Sequence, residues 1–248
     1  MRLGKVAVCI SGLPRTAIAA YPIFKNFFQS TGNYDVFYHT WSGSTSNDEL
    51  DQIQLMYNPV NYTVQDPLTT DNGSFGNMLY SIMSANDLKK RYELDNNFRY
   101  DLVIRTRFDL VFPEKFRFPI DGYNSSRTIY CSGGNQGINH TDYENHGIND
   151  ILFWGDSQAM DIATNTYLYY KHRALAANTE LMQEQGKKFD PGNAYYSAGN
   201  LIYSHCVQKN VAVTQYVQGI MEIPWRTDVA HLDPFADYQL IKERYQRG

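Results

Sequence analysis

The sequence predicts an α/β domain in which a mostly parallel β-sheet carries helices on both faces. Short apolar runs rich in β-branched residues, such as residues 5–11 (KVAVCIS), are typical of buried parallel strands. These runs alternate with segments whose apolar residues have helical spacing, and this alternation indicates parallel strands joined by helical crossovers. The chain of 248 residues is long enough for one such domain with a full core.

The predicted elements follow one another along the chain. A glycine and a proline end the first strand, and the helix after it can bring Ile18, Phe24 and Phe28 onto one face. A later helix ends near Glu93 with basic residues, which suit a helix C-terminus. Strands are predicted over 5–11, 35–41, 61–65, 149–154 and 211–216 and from residue 100 onward; helices are predicted over 17–29, 77–93, 157–175 and 194–209, and the tail after 223 as loop and then helix.

The composition argues against some classes of function. A hydrophobic fraction of 43% and a charged fraction of 19% are ordinary for a globular protein. The net charge of −4 argues against a nucleic-acid-binding protein, which would usually carry a concentrated basic face. Because the overall field repels anions, a phosphate-bearing ligand would have to be held by local arginines, helix N-termini or a metal ion.

The cysteines and the N-terminal segment indicate the cellular compartment in which the protein is expected. The three cysteines are far apart and show no CxxC spacing, so neither a disulfide framework nor a zinc site is predicted, and a reducing, cytoplasmic setting is favoured. The apolar run near the N-terminus is too short to span a membrane and lacks a signal-peptide cleavage pattern, so we expect no transmembrane segment. We expect a single domain over residues 1–248, because neither a repeat nor a linker interrupts the chain.

The loop after the first strand is the first candidate for a ligand site. In an open parallel sheet, ligands bind outside the carboxyl ends of the strands. Ser11 ends the strand, Gly12 would let the backbone approach a ligand, and the next helix would offer free N–H groups to an anion. Arg15 could add a bidentate contact to a phosphate. The alternative is an ordinary turn with a solvated arginine.

The segment 100–112 (YDLVIRTRFDLVF) is the most informative part of the chain. It begins as a buried strand and then places Arg105, Arg107 and Asp109 among apolar residues. Such charges are costly to bury unpaired, so they must pair with each other, reach solvent or hold a ligand. They share one side of the strand if the strand stays regular. Two guanidinium groups and a carboxylate would suit a diphosphate with a divalent cation or a sugar hydroxyl; the alternative is an internal ion pair that only positions the strand.

This segment resembles the metal-site strand of glycosyltransferase-A enzymes, in which an apolar strand ends in Asp-x-Asp. It is most similar to the Val-Ile-Arg-x-Arg-x-Asp form found in glycosyltransferase-like proteins of bacterial polysaccharide clusters and large viruses. The pieces CISGLPRT, VFYHTW, SIMSANDLKKRYE and INDILFWGDSQAMD also resemble that group, in the same order over residues 5–165. The resemblance implies a glycosyltransferase-A-like (Rossmann-like) fold and a nucleotide-sugar donor, with residues 1–121 as the nucleotide-binding part and 122–248 as the acceptor-side part.

The match to Asp-x-Asp is partial. Asp109 stands for the last carboxylate, while Arg107 stands where the first would be. Either Asp109 binds Mn²⁺ or Mg²⁺ with help from elsewhere, or Arg105 and Arg107 neutralise the diphosphate without a metal. Enzymes of this fold often add a C-terminal histidine to the metal or the diphosphate, which makes His231 a candidate ligand, although a lone loop histidine is more often a surface residue.

An inverting transferase would also need a carboxylate as general base for the acceptor hydroxyl. Asp150 is the first candidate, because it follows the loop-rich region 122–149, which we expect to act as an active-site flap. Asp150 could equally cap a turn. Asp156 and Glu180 are weaker candidates, and Trp154 is expected to be a core residue rather than a sugar platform.

Three hypotheses about function remain open at this point. The first is transfer of a sugar from a nucleoside diphosphate donor to a glycan or related acceptor, with Arg105, Arg107, Asp109 and the first loop stabilising the leaving diphosphate. The second is a sulfotransferase, because SGLPRT resembles the loop that wraps the 5′-phosphate in those enzymes, although the residues from Thr16 onward depart from their usual Ser-Gly-Thr-Thr. The third is a non-catalytic module of the same fold that binds a nucleotide or a sugar.

Overall fold

The computed structural model describes residues 4–29, 32–68, 73–110, 127–132, 148, 150–171 and 198–216. Seven strands of these residues form one sheet. They are β1 (Val6–Ser11), β2 (Tyr34–Trp41), β3 (Asn61–Gln65), β4 (Leu102–Thr106), β5 (Thr128–Ser132), β6 (Phe153–Gly155) and β7 (Ala212–Tyr216).

The order of the strands across the sheet is β3-β2-β1-β4-β6-β5-β7. Strands β3, β2, β1 and β4 are parallel to one another, and so are β5 and β7. β6 runs antiparallel to both of its neighbours, β4 and β5. The mostly parallel sheet confirms the predicted fold class. Because β6 is reversed, the chain enters it at the edge of the sheet where β4 ends.

Helices cover both faces of the sheet, as predicted. The first two helices pack on one face and the other three on the opposite face. None of the helices in the described ranges is long and apolar enough to cross a membrane. The helices are α1 (Ala17–Gln29), α2 (Asn47–Tyr57), α3 (Gly73–Asp95), α4 (Ser157–Thr164) and α5 (Ala198–Gln208), and residues 166–171 are also helical.

Alternate residues of β1 point into two different cores. Val8 and Ile10 belong to the core beneath α1 and α2, whereas Ala7 and Cys9 belong to the core beneath α3, α4 and α5. Because side chains alternate along a strand, Ser11 lies on the same face as Cys9. The α3 face of the sheet therefore changes from apolar to polar toward the carboxyl end of β1.

The two central strands, β1 and β4, mark a switch in the chain path. β1 leads into β2 through α1 on one face, whereas β3 leads into β4 through α3 on the other face. Connections that leave adjacent strands on opposite sides open a crevice at the carboxyl ends of those strands, and ligands of open α/β sheets bind there. The end of β1 and the end of β4 are thus where a site is expected.

Two elements of the structure are missing from the sequence prediction. α2 starts with a capping box, because Ser46 Oγ accepts from Glu49 N at 3.3 Å and the Glu49 carboxylate accepts from Ser46 N at 3.0 Å. The Ser-x-x-Glu spacing is the signal that could have found it. β5 lies inside the predicted flap, so that prediction is wrong for residues 128–132; most of the remaining flap lies outside the described residues.

Several boundaries also differ from the prediction. The strand predicted over 149–154 is shorter, since residues 150–151 form a turn before β6. The helix predicted from Ser157 is interrupted at Asn165. α3 continues to Asp95, so the basic residues near Glu93 do not lie in its last turn. The helical tail predicted after residue 223 lies outside the described residues.

Candidate functional site

The centre of the candidate site is Arg105, the penultimate residue of β4. It lies opposite Cys9 in the register of β1 and β4 and is 2% exposed. Its Nη2 group donates a hydrogen bond to Ser11 Oγ at 3.2 Å, which joins the ends of the two strands at the crevice. Its Nε and Nη1 groups have no hydrogen-bond partner among the described residues. The guanidinium group therefore keeps two donors available for a ligand.

The charge of Arg105 makes this arrangement costly without a ligand. Burial lowers the pKa of Arg105 to about 10, and the nearby Asp150 carboxylate opposes that shift. A group with this pKa is still protonated at neutral pH. The Phe153 ring lies 5.9 Å from the guanidinium carbon, near the outer limit of a useful cation–π contact. A buried cation with unmade hydrogen bonds destabilises the protein. An anion that accepted those hydrogen bonds would remove this cost and would therefore bind more tightly.

Arg107 and Asp109 come after the end of β4. Arg105, Arg107 and Asp109 could share one side only if the strand stayed regular through residue 109. β4 stops at Thr106, before Arg107 and Asp109. Arg107 then donates two hydrogen bonds to Asp109, from Nε to Oδ1 at 2.8 Å and from Nη2 to Oδ2. The Asp109 side chain is mostly buried and that of Arg107 is partly exposed. The two form a forked ion pair at the mouth of the crevice.

These residues do not fit a divalent cation in the arrangement observed. Mn²⁺ and Mg²⁺ need several oxygen ligands, but both carboxylate oxygens of Asp109 accept hydrogen bonds from Arg107. Across the described ranges, no group of three or more His, Cys, Asp or Glu side chains is placed to hold a metal ion. The other predicted ligand, His231, lies outside those ranges. Asp109 is therefore the partner of an arginine in this structure.

The loop after β1 is held by its neighbours more firmly than predicted. Gly12 has a φ of +119°, which favours glycine, and a Cβ at this position would meet no atom within 4 Å. Its N–H donates to Ser81 Oγ at 3.2 Å, and its carbonyl accepts from Thr40 Oγ1 at 2.9 Å. The peptide groups of Gly12 are thus engaged by α3 and β2, although the space beside it is open. Arg15, two residues before α1, is exposed.

His39 is a buried residue of this edge that the sequence analysis did not single out. It pairs with Ser11 in the register of β1 and β2, and its Nδ1 lies 2.9 Å from Ser81 Oγ. Burial lowers the pKa of His39 to about 4, so the ring is neutral at pH 7. The rings of Trp41 and Tyr80 pack against it. The signal in the sequence was a histidine within an otherwise buried strand, which needs a polar partner.

Asp150 reaches the same edge because β6 is reversed. Phe153, the first residue of β6, pairs with Arg105, so the residues just before β6 lie beside the end of β4. Asp150 is partly buried in the turn there, and its charge favours the protonated state of Arg105. The structure thus places the Asp150 carboxylate near Arg105, and its role as general base stays a prediction.

The turn that carries Asp150 is anchored by a distant part of the chain. Ile148 donates its backbone N–H to the carbonyl of Gly199, near the start of α5, at 3.0 Å. A Cβ on Gly199 would lie 2.0 Å from the Ile148 carbonyl oxygen, closer than real contacts allow. Only glycine lets α5 approach this stretch of backbone so closely.

The remaining predicted residues lie elsewhere. Asp156 follows the far end of β6 and caps α4, where its carboxylate accepts from Ala159 N at 2.8 Å and from Arg127 N at 2.9 Å. It is therefore part of a helix cap and not of the crevice. Trp154 is 1% exposed and belongs to the core, as predicted. Glu180 lies outside the described residues.

A second cluster of buried charges links α3 to α4, away from the crevice. Lys89 is fully buried, and its ammonium group donates to Ser157 Oγ at 2.7 Å, Asp161 Oδ1 at 2.8 Å and Glu93 Oε2 at 3.1 Å. Arg99, whose side chain is 54% exposed, donates to Asp161 Oδ2 at 2.8 Å. All three donors of Lys89 have partners, so Lys89 joins two helices and keeps no donor for a ligand.

Comparison with known proteins defines the class of fold. No family model and no curated protein matches the chain. Among solved structures, a glycosyltransferase involved in the glycosylation of the major capsid of PBCV-1 matches with a TM-score of 0.51 and 8% sequence identity, over 96% of this chain and 100% of that one. A protein of Desulfovibrio desulfuricans G20, assigned as a nucleotide-diphospho-sugar transferase, matches with a TM-score of 0.43 and 8% identity, over 98% of this chain and 97% of that one. The sheet, its helices and the first of these likenesses show a glycosyltransferase-A-like fold.

Proposed function

We propose that this chain is a glycosyltransferase that moves a sugar from a nucleoside diphosphate sugar to a glycan or related acceptor. The observation that carries the proposal is the buried guanidinium group of Arg105 at the ends of β1 and β4, where two of its donor groups have no partner among the described residues. This crevice is where open α/β sheets bind their ligands. The fold shared with a capsid glycosyltransferase supports the same class of reaction.

In this proposal Arg105 stabilises the leaving diphosphate. Its Nε and Nη1 groups would donate to phosphate oxygens, while the hydrogen bond from Nη2 to Ser11 keeps the guanidinium plane in place. Donors that are fixed before the reaction stabilise the negative charge that develops as the sugar departs, and burial strengthens their effect. Arg15 and the N-terminus of α1 follow β1 in the chain, and we propose that they complete the phosphate site.

Asp150 is the proposed general base. It lies at the same edge of the sheet as Arg105, on the side of β6. A carboxylate there would accept the proton of the acceptor hydroxyl as that oxygen attacks the sugar. Asp109 has a different proposed role, because it fixes the direction of the Arg107 guanidinium group by two hydrogen bonds. We further propose that the reaction belongs to polysaccharide assembly in the cytoplasm, a setting that the buried thiols of Cys9 and Cys206 support, since neither forms a disulfide.

The test measures nucleotide release from a panel of nucleoside diphosphate sugars by the purified chain. Arg105→Met removes the charge and keeps an apolar side chain of similar length. Arg91→Met is the matched control, since Arg91 is an exposed arginine of α3. We expect release from one donor, a loss of about 100- to 1,000-fold in Arg105→Met, and unchanged release in Arg91→Met.

Other outcomes would point elsewhere. Equal release by Arg105→Met and Arg91→Met would remove Arg105 from the proposed site. Donor binding without release would favour a non-catalytic module. Stabilisation by 3′-phosphoadenosine-5′-phosphate alone would favour a sulfotransferase, although the N–H of Gly12 in the loop that would have to wrap that phosphate already donates to Ser81.

A further inference from the structure

The Arg107–Asp109 pair occupies the position at which a metal ion would be expected. Arg107 uses two of its nitrogen atoms to cover both carboxylate oxygens of Asp109. The forked geometry of a guanidinium group matches a carboxylate closely, so no oxygen of Asp109 is left without a hydrogen bond. A metal ion that kept Arg107 in place would have to use the remaining lone pairs of Asp109, directly beside the positive charge of the guanidinium group.

We propose that Arg107 acts as a tethered cation that keeps Asp109 from ligating a divalent metal, so that arginine side chains alone meet the charge of the bound phosphates. The part of this inference that concerns phosphate rests on the proposed function. The part that concerns the metal stands on the geometry of the ion pair.

The balance of charge at the crevice supports the inference. Arg107 and Asp109 neutralise each other, and Arg105 adds a buried positive charge beside them, opposed by the nearby Asp150. Among the described residues, a divalent cation that displaced Arg107 would place two arginines and the metal against two carboxylates, those of Asp109 and Asp150. Cations crowded at a mostly buried site repel one another strongly, because the surrounding protein screens them less than water does. The pair is therefore the arrangement that keeps the crevice close to neutral before the anion arrives.

The experiment measures Mn²⁺ binding without any donor, by the loss of the electron paramagnetic resonance signal of free Mn²⁺. Arg107→Met uncovers Asp109 while keeping an apolar stem of similar length. Each chain is paired with its Asp109→Asn counterpart, and only binding lost in that counterpart is counted, which removes metal bound elsewhere. Arg107→Lys is a second variant, which keeps a positive charge but loses the fork. Circular dichroism confirms that every chain is folded.

We expect no Asp109-dependent binding in the natural chain and a gain in Mn²⁺ affinity of about tenfold or more in Arg107→Met. Arg107→Lys should gain less, in the same direction. Asp109-dependent binding by the natural chain would overturn the proposal, and so would the absence of any gain in both variants. The proposed function fails separately, in the donor panel. If nucleotide is released there, EDTA should leave the rate unchanged, and a loss of the rate in EDTA would overturn the phosphate part of the inference.

Discussion

Two cations are buried on the α3 side of the sheet, and their surroundings differ completely. Lys89 uses all three of its donors on Glu93, Ser157 and Asp161. Arg105 makes one hydrogen bond, to Ser11, and leaves two donor groups without a partner in the described part of the chain. Lys89 is fully paired by its own protein, whereas Arg105 keeps donors that no described residue meets.

This difference distinguishes a structural charge, that of Lys89, from the charge of Arg105, to which we assign a functional role. A buried charge persists in a fold when its partners compensate for the lost hydration, as they do around Lys89. A buried charge that keeps unmade hydrogen bonds lowers the stability of the empty protein, and such charges are concentrated at ligand sites. The comparison therefore predicts opposite effects when the two charges are removed.

The largest expected effect is the loss of stability in Lys89→Met. Removing the ammonium group takes a partner from the buried carboxylate of Glu93 and from the partly buried carboxylate of Asp161, and the expected decrease in the free energy of unfolding is about 3–5 kcal/mol. Urea denaturation followed by circular dichroism measures it. Lys90→Met, at the exposed neighbouring position, is the control and should change little. A decrease as small as that of the control would show that the cluster is not the link between α3 and α4.

The second prediction is that the stabilisation by Asp161 is lost at low pH. Burial raises the pKa of Asp161, but Lys89, Asn86 and Arg99 together outweigh it, so the pKa lies below its ordinary value. The unfolded chain then binds the proton at higher pH than the folded chain does. The stabilisation by Asp161 is thus complete above the unfolded pKa of about 4 and is lost as the pH falls through the folded value.

The measurement for this prediction compares the natural chain with Asp161→Asn by urea denaturation from pH 7 to about pH 3. The difference in the free energy of unfolding between the two should be constant near neutral pH and should shrink below about pH 4. Comparing the two chains at each pH cancels the titration of His39 and His205, the pKa of each of which burial lowers to about 4. A difference that grows in acid would contradict the lowered pKa.

Removing the charge of Arg105 should not destabilise the protein. Arg105→Met replaces an incompletely paired buried charge by an apolar side chain, so the free energy of unfolding without ligand should stay the same or rise by about 1–2 kcal/mol. Inorganic pyrophosphate should raise the melting temperature of the natural chain but not that of the variant. Thermal denaturation with and without pyrophosphate checks both statements. A marked destabilisation by Arg105→Met would mean that Arg105 is a structural charge like Lys89.

The smallest expected effect is that of Arg99→Ala. Arg99 reaches Asp161 at 2.8 Å from the surface, and its side chain is 54% exposed, so water and salt screen the pair. The expected loss of stability is below about 1 kcal/mol and should decrease further at high salt. Urea denaturation at low and high ionic strength measures it. A loss as large as that of Lys89→Met would place the strength of the cluster at its exposed edge.

The sequence predicted the parts of this comparison that depend on neighbouring residues. An arginine in an apolar strand pattern is visible in the sequence, and that pattern led to Arg105. The periodicity of apolar residues likewise predicted β1, β3 and α1 to within a residue. The partners of Lys89 in α4 follow it by 68 and 72 residues, so nothing near Lys89 showed that it is buried.

The arrangement of the site residues depends on how distant strands pair, which the sequence alone does not reveal. The end of β4 at Thr106 and the reversal of β6 together decide that Arg107 turns to Asp109 and that Asp150 lies beside Arg105. A strand as short as β6, with three residues, has too little pattern to reveal its direction. The residue types of the site could therefore be predicted, whereas their mutual arrangement could not.

The contact between Gly199 and Ile148 has a consequence for mutational scanning. Any side chain at Gly199 would push against the Ile148 carbonyl and move the turn that carries Asp150, while most of the sheet lies away from the contact. In a library selected for the proposed transferase activity, Gly199 would therefore score as intolerant as the residues proposed to meet the substrate. A parallel library selected only for the amount of folded protein would tolerate substitutions at Gly199 better, and the gap between the two scores would identify a residue that acts on the reaction entirely through its backbone.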